Sequence, residues 1–104
     1  MIYIKQHITE NGIILAMCDS DLIGKVLEEG NILIDLKDYS EFYIGTLSSE
    51  PEADSSINKD KLWSVNVIGR SSVSVALSKG IIEKEHVKTV KGVPYANAFK
   101  FKEH

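Results

Sequence analysis

Apolar and polar side chains alternate over the first eighteen residues, a period of two that is typical of strands with one buried face. The dipeptide Asn11-Gly12 interrupts this alternation and is a strong signal for a type I′ hairpin turn. With these two residues as the turn, Lys5 lies directly opposite Cys18. The pattern therefore predicts a β-hairpin over residues 2–18.

The spacing of apolar residues changes twice between residues 19 and 47. Residues 19–30 have the apolar spacing of a short helix, which the carboxylate of Asp19 can cap. Residues 31–37 and 41–47 alternate again, which predicts two further strands. Gly45 within the second of these strands predicts a bulge or a close backbone contact.

The second half of the chain begins with a polar, acidic stretch, residues 48–56, which we interpret as a surface loop. Helical spacing then predicts two consecutive helices over about residues 56–80, with Gly80 as the stop. Residues 95–102 alternate as a closing strand, and its predicted core face consists of Tyr95, Asn97, Phe99 and Phe101. The predicted fold class is α+β, an antiparallel sheet with an N-terminal hairpin, two helices packed on one face and a closing C-terminal strand.

Composition limits the possible classes of protein. A chain of 104 residues with 43% hydrophobic and 26% charged residues predicts one globular domain, residues 1–104. The net charge of −3 excludes a broadly basic protein that coats nucleic acid, although a local basic face remains possible. The single cysteine, Cys18, excludes an internal disulfide and a multi-cysteine zinc site.

Location and association are predicted from what the pattern lacks. No apolar run approaches the ~20 residues of a membrane span, and the N-terminus has no signal-peptide pattern, so we expect a cytoplasmic protein without a membrane partner. No helix shows a heptad seam, so a homo-oligomer would have to use a sheet edge or an aromatic patch. No cofactor motif is present.

Several short motifs follow one another along nearly the whole chain. They are Cys18-Asp19, Asp21-Leu22-Ile23-Gly24-Lys25, Phe42-Tyr43-Ile44-Gly45, Asn66-Val67-Ile68-Gly69, Ser72-Val73, Lys79-Gly80-Ile81-Ile82 and Gly92-Val93-Pro94. In this order they resemble a small archaeal family of unknown function, the domain of unknown function 424 group. The resemblance implies a fold and a lineage, and it implies no particular reaction.

The chain departs from the family pattern at one position. After Gly-Val-Pro the family pattern has His-Ala-Gln, whereas this chain has Tyr95-Ala96-Asn97. A tyrosine titrates near pH ~10 and a histidine near ~6.5, so Tyr95 cannot act as a proton shuttle at neutral pH. A hydrogen-bonding or stacking role survives the change, which favours binding over catalysis.

Cys18 is the candidate catalytic residue. A helix N-terminus after it and Lys5 across the hairpin would lower the pKa of its thiol, whereas Asp19 and Asp21 would raise it. No histidine is placed to act as its base, so a small buried side chain is the simpler interpretation. An enzyme that uses Cys18 with Asp19 and Lys25 is the alternative. The segment that carries Asp19 and Asp21 lacks the glycine and the distal glutamate of an EF-hand loop, so no metal site is predicted.

The candidate binding residues concentrate near the C-terminus. Lysines surround the Gly92–Tyr95 turn, and a basic patch beside an exposed aromatic side chain is typical of single-stranded RNA binding. The predicted binding set is Lys25, Arg70, Lys88, Lys91, Gly92, Pro94, Tyr95, Asn97 and Lys100. The favoured function is non-catalytic binding of RNA, a ribonucleoprotein or another translation-related partner. A solvated strand face would explain the lysines equally well, and a protein-interaction module that uses the acidic 48–56 stretch is a third possibility.

Overall fold

The computed structural model describes residues 1–99, whose backbone forms a six-stranded sheet, a separate hairpin and two helices. The strands are β1 Ile2–Thr9, β2 Gly12–Asp19, β3 Val26–Glu29, β4 Ile32–Asp35, β5 Thr46–Ser48, β6 Leu62–Ile68, β7 Lys88–Val90 and β8 Val93–Phe99, and the helices are α1 Glu50–Ser56 and α2 Arg70–Lys79. The sheet order is β5-β1-β2-β6-β8-β7, antiparallel except for the β2–β6 pair. The predicted α+β class, with its N-terminal hairpin and closing strand, is confirmed. No helix within residues 1–99 is long and apolar enough to cross a membrane.

The N-terminal hairpin turns one residue earlier than predicted. Thr9 pairs with Gly12, so Glu10 and Asn11 form the turn, and Lys5 lies opposite Ala16 instead of Cys18. Gly12 belongs to β2, beside the start of β6, where a Cβ on it would lie 2.9 Å from a backbone oxygen. The register differs from the predicted one by two residues, so every side chain keeps its predicted face. The core face is confirmed for Ile2, Ile4, Leu15 and Met17, which are buried, whereas Ile8, predicted on the same face, is 85% exposed near the turn.

The first of the two predicted helices lies elsewhere. Residues 62–68, which were predicted to be helical, form β6 in the middle of the sheet. The helix lies instead in the predicted acidic loop, as α1, which begins with a reciprocal capping box between Ser49 and Glu52. A central strand is buried on both faces, so β6 shows no alternation that would distinguish it from a helix.

The second predicted helix is confirmed as α2, which ends at Gly80 in the left-handed conformation (φ 77°). Its N-terminus is capped from another element. The carboxylate of Asp19, at the end of β2, accepts hydrogen bonds from the backbone N–H groups of Ser71 (3.1 Å) and Ser72 (2.9 Å) and from the Ser72 hydroxyl (2.8 Å). Gly69 makes room for it, since a Cβ there would lie 2.2 Å from the Asp19 Cγ. Asp19 therefore caps α2 and not a helix of its own.

Residues 19–47 differ most from the prediction. The predicted helix over 19–30 is a single 3₁₀ turn followed by β3, which pairs with β4 in a two-stranded hairpin. The predicted strand over 41–47 shrinks to the short β5. The close contact predicted at Gly45 is confirmed, because a Cβ there would meet the backbone oxygen of Ile4 at 2.2 Å.

The β3–β4 hairpin covers the face of the sheet opposite to the helices. The first core lies between the sheet and the two helices. A second core lies between the sheet and this hairpin, and its buried members are Cys18, Leu22, Leu27, Leu36, Ile68 and Val90. The sheet is therefore covered on both faces, although the hairpin is too small to cover its side completely.

The predicted core face of the closing strand is wrong. Ala96 and Ala98 are buried against the helix side of the sheet, whereas Tyr95, Asn97 and Phe99 lie on the opposite face, with Phe99 60% exposed. Alanines let α2 approach β8 closely, so the small residues occupy the core side. The other predicted core aromatic, Phe101, and the candidate Lys100 lie outside the described residues.

Candidate functional site

A cleft of about 570 Å³ opens between the sheet and the β3–β4 hairpin. Its floor is formed by β6 and β8, and its walls by β4 and the 3₁₀ turn that follows it. The floor residues are Asn66, Ile68, Tyr95 and Asn97, and the wall residues include Ile32, Ile34, Asp35, Tyr39, Phe42 and Tyr43. This volume is in the range of protein sites that bind small molecules.

Two carboxamides lie side by side on the floor. Asn66 of β6 and Asn97 of β8 are cross-strand partners, a placement that brings their Cβ atoms to roughly 4.5–5.5 Å. Within residues 1–99, neither side chain makes a hydrogen bond. Each offers an N–H₂ donor and a carbonyl acceptor. The pair can therefore bind the polar edge of a ligand that enters the cleft.

Aromatic rings form one wall. The Phe42 ring stacks on His7 (centroids 4.6 Å apart, 13° between planes) and meets Tyr43 edge-on at 5.1 Å. The His7 ring nitrogen Nε2 also lies 2.9 Å from the Phe42 backbone oxygen. These contacts fix the wall against β1, whereas Tyr39 is 70% exposed at the rim.

Tyr43 is partly buried in this wall and packs against the second core. Burial, and secondly the neighbouring Cys18, raise the pKa of its hydroxyl to about 12. The hydroxyl therefore stays protonated under physiological conditions and contributes no charge to the wall.

Asp35 carries the one charged side chain among the described residues that line the cleft. Its Oδ1 accepts hydrogen bonds from the backbone N–H groups of Lys37 and Asp38, both at 2.9 Å, which shapes the turn after β4. Its Oδ2 has no hydrogen-bond partner within residues 1–99. Asp35 is the cross-strand partner of Val26, which is half exposed, whereas the adjacent Leu27–Ile34 pair packs in the second core, so the Asp35 side chain belongs to the outer face of the hairpin.

The structure brings some of the predicted binding residues together. Tyr95 and Asn97 lie in the cleft, and Lys88 of β7 is the cross-strand partner of Tyr95. Lys91 and Gly92 form the tight β7–β8 turn, both with positive φ (52° and 77°). These residues share one hairpin at the edge of the sheet.

The other predicted cations are more dispersed. Pro94 accepts a hydrogen bond from the backbone N–H of Gly69 (2.8 Å), which places the start of α2 and the exposed Arg70 beside β8. Lys25 is exposed just before β3. Neither side chain makes a hydrogen bond or an ion pair with another residue between 1 and 99.

Cys18, the candidate nucleophile, is fully buried. Its thiol donates a hydrogen bond to the Asp19 backbone oxygen at 3.3 Å. Burial, followed by the charges of Asp19 and Asp21, raises the pKa of the thiol from 9.0 to about 12. Lys5, expected to lower it, instead donates to the Glu41 backbone oxygen at 2.8 Å. The arrangement keeps the thiol protonated at neutral pH.

Sequence reasoning missed the residues that complete the cleft. Asn66 was assigned to a helix, and neither it nor Asp35 nor the aromatic residues at 39–43 were proposed as site residues, although Phe42-Tyr43 and Asn66 belong to the motifs of the resemblance. One signal was present, because Asn66 is a polar residue inside the run Val65–Ile68, whose other members are apolar and β-branched. A polar residue in the middle of a strand that is otherwise buried on both faces indicates that the layer covering one face of the sheet is incomplete at that position.

The comparison with protein families agrees with the resemblance. The family model described as "Protein of unknown function (DUF424)" matches residues 6–101. The chain belongs to this family. No curated protein matches the sequence. The DUF424 fold is also similar to the crystal structure of an uncharacterized conserved protein from Methanopyrus kandleri, which has 22% identity, a TM-score of 0.79 and coverage of 99% of this chain and 98% of that chain.

Proposed function

We propose that this protein is a non-catalytic binding module whose cleft holds an unpaired base of single-stranded RNA. The observation that carries the proposal is the pair of unengaged carboxamides, Asn66 and Asn97, beside Tyr95 on the floor of an aromatic-walled cleft. RNA-binding proteins commonly recognise unpaired bases by stacking on aromatic rings and by hydrogen bonds to the base edges. A ribonucleoprotein is the partner that we expect to present such a base.

The charge distribution supports one orientation of the RNA. The β3–β4 hairpin and the segment after it carry exposed acidic residues, including Glu28, Glu29 and Glu41, which would repel phosphate groups. Lys88 and Lys91 are exposed at the β7–β8 edge, and Lys88 is the cross-strand partner of Tyr95 on the cleft floor. Of the acidic residues, Glu29 also contacts this edge, where its carboxylate accepts a hydrogen bond from the Lys91 backbone N–H. The phosphates would therefore follow the β7–β8 edge while a base enters the cleft.

The two alternatives have less support from the geometry. A thiol with a raised pKa and no base beside it is a poor nucleophile, which weighs against an enzyme centred on Cys18. The acidic 48–56 stretch forms the short helix α1, with Glu50 and Glu52 exposed on the other side of the sheet. A protein partner could bind there without using the cleft.

The proposal is tested by the affinity for a short single-stranded RNA of mixed sequence, measured by fluorescence anisotropy over a series of salt concentrations. We expect Lys88→Ala to weaken binding and to reduce the slope of log K against log salt by about 1, because one phosphate contact is lost. Lys59→Ala is the matched control, since this lysine lies beside Gly80 at the end of α2.

Two results would count against the proposal. One is the absence of measurable RNA binding at low salt. The other is an equal loss of affinity in the Lys88 and Lys59 variants, which would indicate a non-specific charge effect and not a site at the β7–β8 edge.

A further inference from the structure

We infer that the open edge of β4 binds the polar edge of the unpaired base, through the backbone N–H and C=O groups of Leu33 and Asp35. The inference rests on the proposed function and identifies which part of the cleft recognises the base. It is based on the way in which the β3–β4 hairpin borders the cleft.

The cleft runs along the edge of β4 and not over one of its faces. Consecutive residues 31–36 line it, whereas successive side chains of a strand point to opposite faces. The side chains of Leu33 and Asp35 belong to the outer face of the hairpin, since their cross-strand partners Glu28 and Val26 are exposed. These two residues therefore line the cleft through their backbone. None of the described residues that line the cleft belongs to β3, so the open edge is that of β4.

The register of the hairpin decides which backbone groups are unpaired. A two-residue turn joins the strands, so Ile32, next to the turn, is hydrogen-bonded to β3, and so is every second residue after it. The Leu36 N–H continues this series by donating to the Lys25 backbone oxygen at 2.8 Å. The intervening residues, Leu33 and Asp35, point their N–H and C=O groups away from β3, and no hydrogen bond within residues 1–99 occupies these groups.

An edge of this kind suits a single base. Each of the two residues presents a donor beside an acceptor, and a pyrimidine also has a donor beside an acceptor on the edge that pairs in a duplex. In uracil these are the ring N–H and a carbonyl oxygen, and in cytosine the amino group and a ring nitrogen, so the backbone can bind either base while it is unpaired. Two open residues are few for the addition of a peptide strand, whose affinity comes from a row of main-chain hydrogen bonds. The remaining polar atoms of the base stay available to Asn66 and Asn97.

The experiment compares single-stranded oligomers of 5-methyluridine and 3-methyluridine of equal length at one salt concentration. Both carry the same phosphate charge and one methyl group per base, but only in 3-methyluridine does the methyl group replace the ring N–H on the pairing edge. We expect the 3-methyluridine oligomer to bind roughly tenfold more weakly, because hydrogen bonds to the backbone are lost. In ¹⁵N-labelled protein, the 5-methyluridine oligomer should also slow the solvent exchange of the Leu33 and Asp35 amides, and the 3-methyluridine oligomer should not.

Leu33→Pro tests the assignment to β4. Proline removes the backbone N–H that points into the cleft without breaking a hydrogen bond to β3, and strand edges tolerate proline. Leu33→Ala is the matched control, because it removes the same exposed side chain and keeps the N–H. We expect the proline variant to bind the 5-methyluridine oligomer roughly fivefold more weakly than the alanine variant does, and its ratio of the two affinities to fall. The amide exchange measures the same contact in the unmutated protein, whether or not the proline variant folds.

Each outcome decides a different question. Equal affinities for the two methylated oligomers would overturn recognition of the base edge and leave RNA binding in place. Unchanged exchange of the Leu33 and Asp35 amides in the complex, or an affinity ratio that is the same in Leu33→Pro and Leu33→Ala, would overturn the role of β4. No binding by these oligomers or by unmodified uridine oligomers would overturn both the proposed function and the inference.

Discussion

The thiol of Cys18 lies at the end of β2, where the second core closes over the sheet. In this place it acts as a small apolar side chain, and its pKa is raised from 9.0 to about 12 mainly by burial. This shift makes the free energy of unfolding depend on pH, because the thiol titrates at a different pH in the folded and unfolded states.

The sign of this dependence follows from the direction of the shift. In the unfolded chain the thiol loses its proton near pH 9, whereas in the folded protein it keeps the proton until about 12. Above pH 9 the unfolded state therefore binds fewer protons, and the free energy of unfolding falls as the pH rises. We expect Cys18→Ala to lose less stability than the wild type between pH 8 and pH 10, measured by urea denaturation at each pH.

Other groups that titrate in this range are present in both proteins. Burial, the larger cause of the raised Tyr43 pKa, is also the same in both, so most of the difference between their slopes comes from Cys18. Identical slopes would show that the thiol titrates alike in the folded and unfolded states. Iodoacetamide provides a second measurement, and we expect it to label the folded protein more slowly than a free thiol at neutral pH. Rapid labelling would restore the enzyme alternative.

At the scale of elements, Asp19 joins the end of β2 to the start of α2. Its carboxylate accepts three hydrogen bonds there, one of them from the hydroxyl of Ser72, a residue with no exposed surface. We expect Asp19→Ala to lower the free energy of unfolding by about 2–3 kcal/mol, because it removes a helix cap and leaves a buried hydroxyl without a partner. Urea denaturation at neutral pH measures this loss.

Asp21→Ala is the control for this prediction. Asp21 is an exposed carboxylate two residues away that makes no hydrogen bond within residues 1–99. Its removal should change stability by less than about 0.5 kcal/mol. Similar losses in the two variants would mean that the local negative charge, and not the cap, stabilises α2.

Local patterns predicted the elements whose signals lie within a few residues. The hairpin of β1 and β2 has alternation and a turn signal, and α2 has helical spacing and a glycine stop, so both are confirmed. The helix α1 also had a local signal, the Ser49-x-x-Glu52 capping box, but its polar composition favoured a loop. Only Ala53 of its residues is buried, so it has almost no apolar face to recognise.

The element that positions the cleft could not be predicted in this way. Whether Leu62–Ile68 forms a strand depends on its two neighbours, β2 and β8, which are remote in sequence. A continuous apolar run fits a buried strand and a buried helix equally well. The pairing of Asn66 with Asn97 depends on that long-range register. The sequence could therefore indicate Tyr95 and Asn97 as candidate binding residues, but it could not indicate that Asn66 lies beside Asn97.

At the scale of the whole molecule, the cleft exists because the β3–β4 hairpin stands over the sheet. Two features hold it there. Leu27 of β3 and Leu36, the residue directly after β4, pack in the second core. The carboxylate of Glu29 also accepts a hydrogen bond from the backbone N–H of Lys91, at 2.7 Å, which ties this hairpin to the β7–β8 turn.

Glu29→Ala should loosen the hairpin without unfolding the protein. The hydrogen bond is at the surface and contributes about 1 kcal/mol, whereas the packing of Leu27 and Leu36 is retained. We expect the backbone amides of residues 26–35 to exchange roughly fivefold faster with solvent, while those of β2 and β6 remain protected. Hydrogen exchange followed by mass spectrometry resolves these segments.

Glu28→Ala is the matched control, because Glu28 is the adjacent exposed acid and its side chain makes no hydrogen bond within residues 1–99. Its removal should leave exchange in the hairpin unchanged. If Glu29→Ala exchanged like the wild type, packing alone would hold the hairpin closed. If exchange accelerated throughout β2 and β6 as well, the hairpin would open only when the sheet unfolds, and the cleft would not have an independently movable wall.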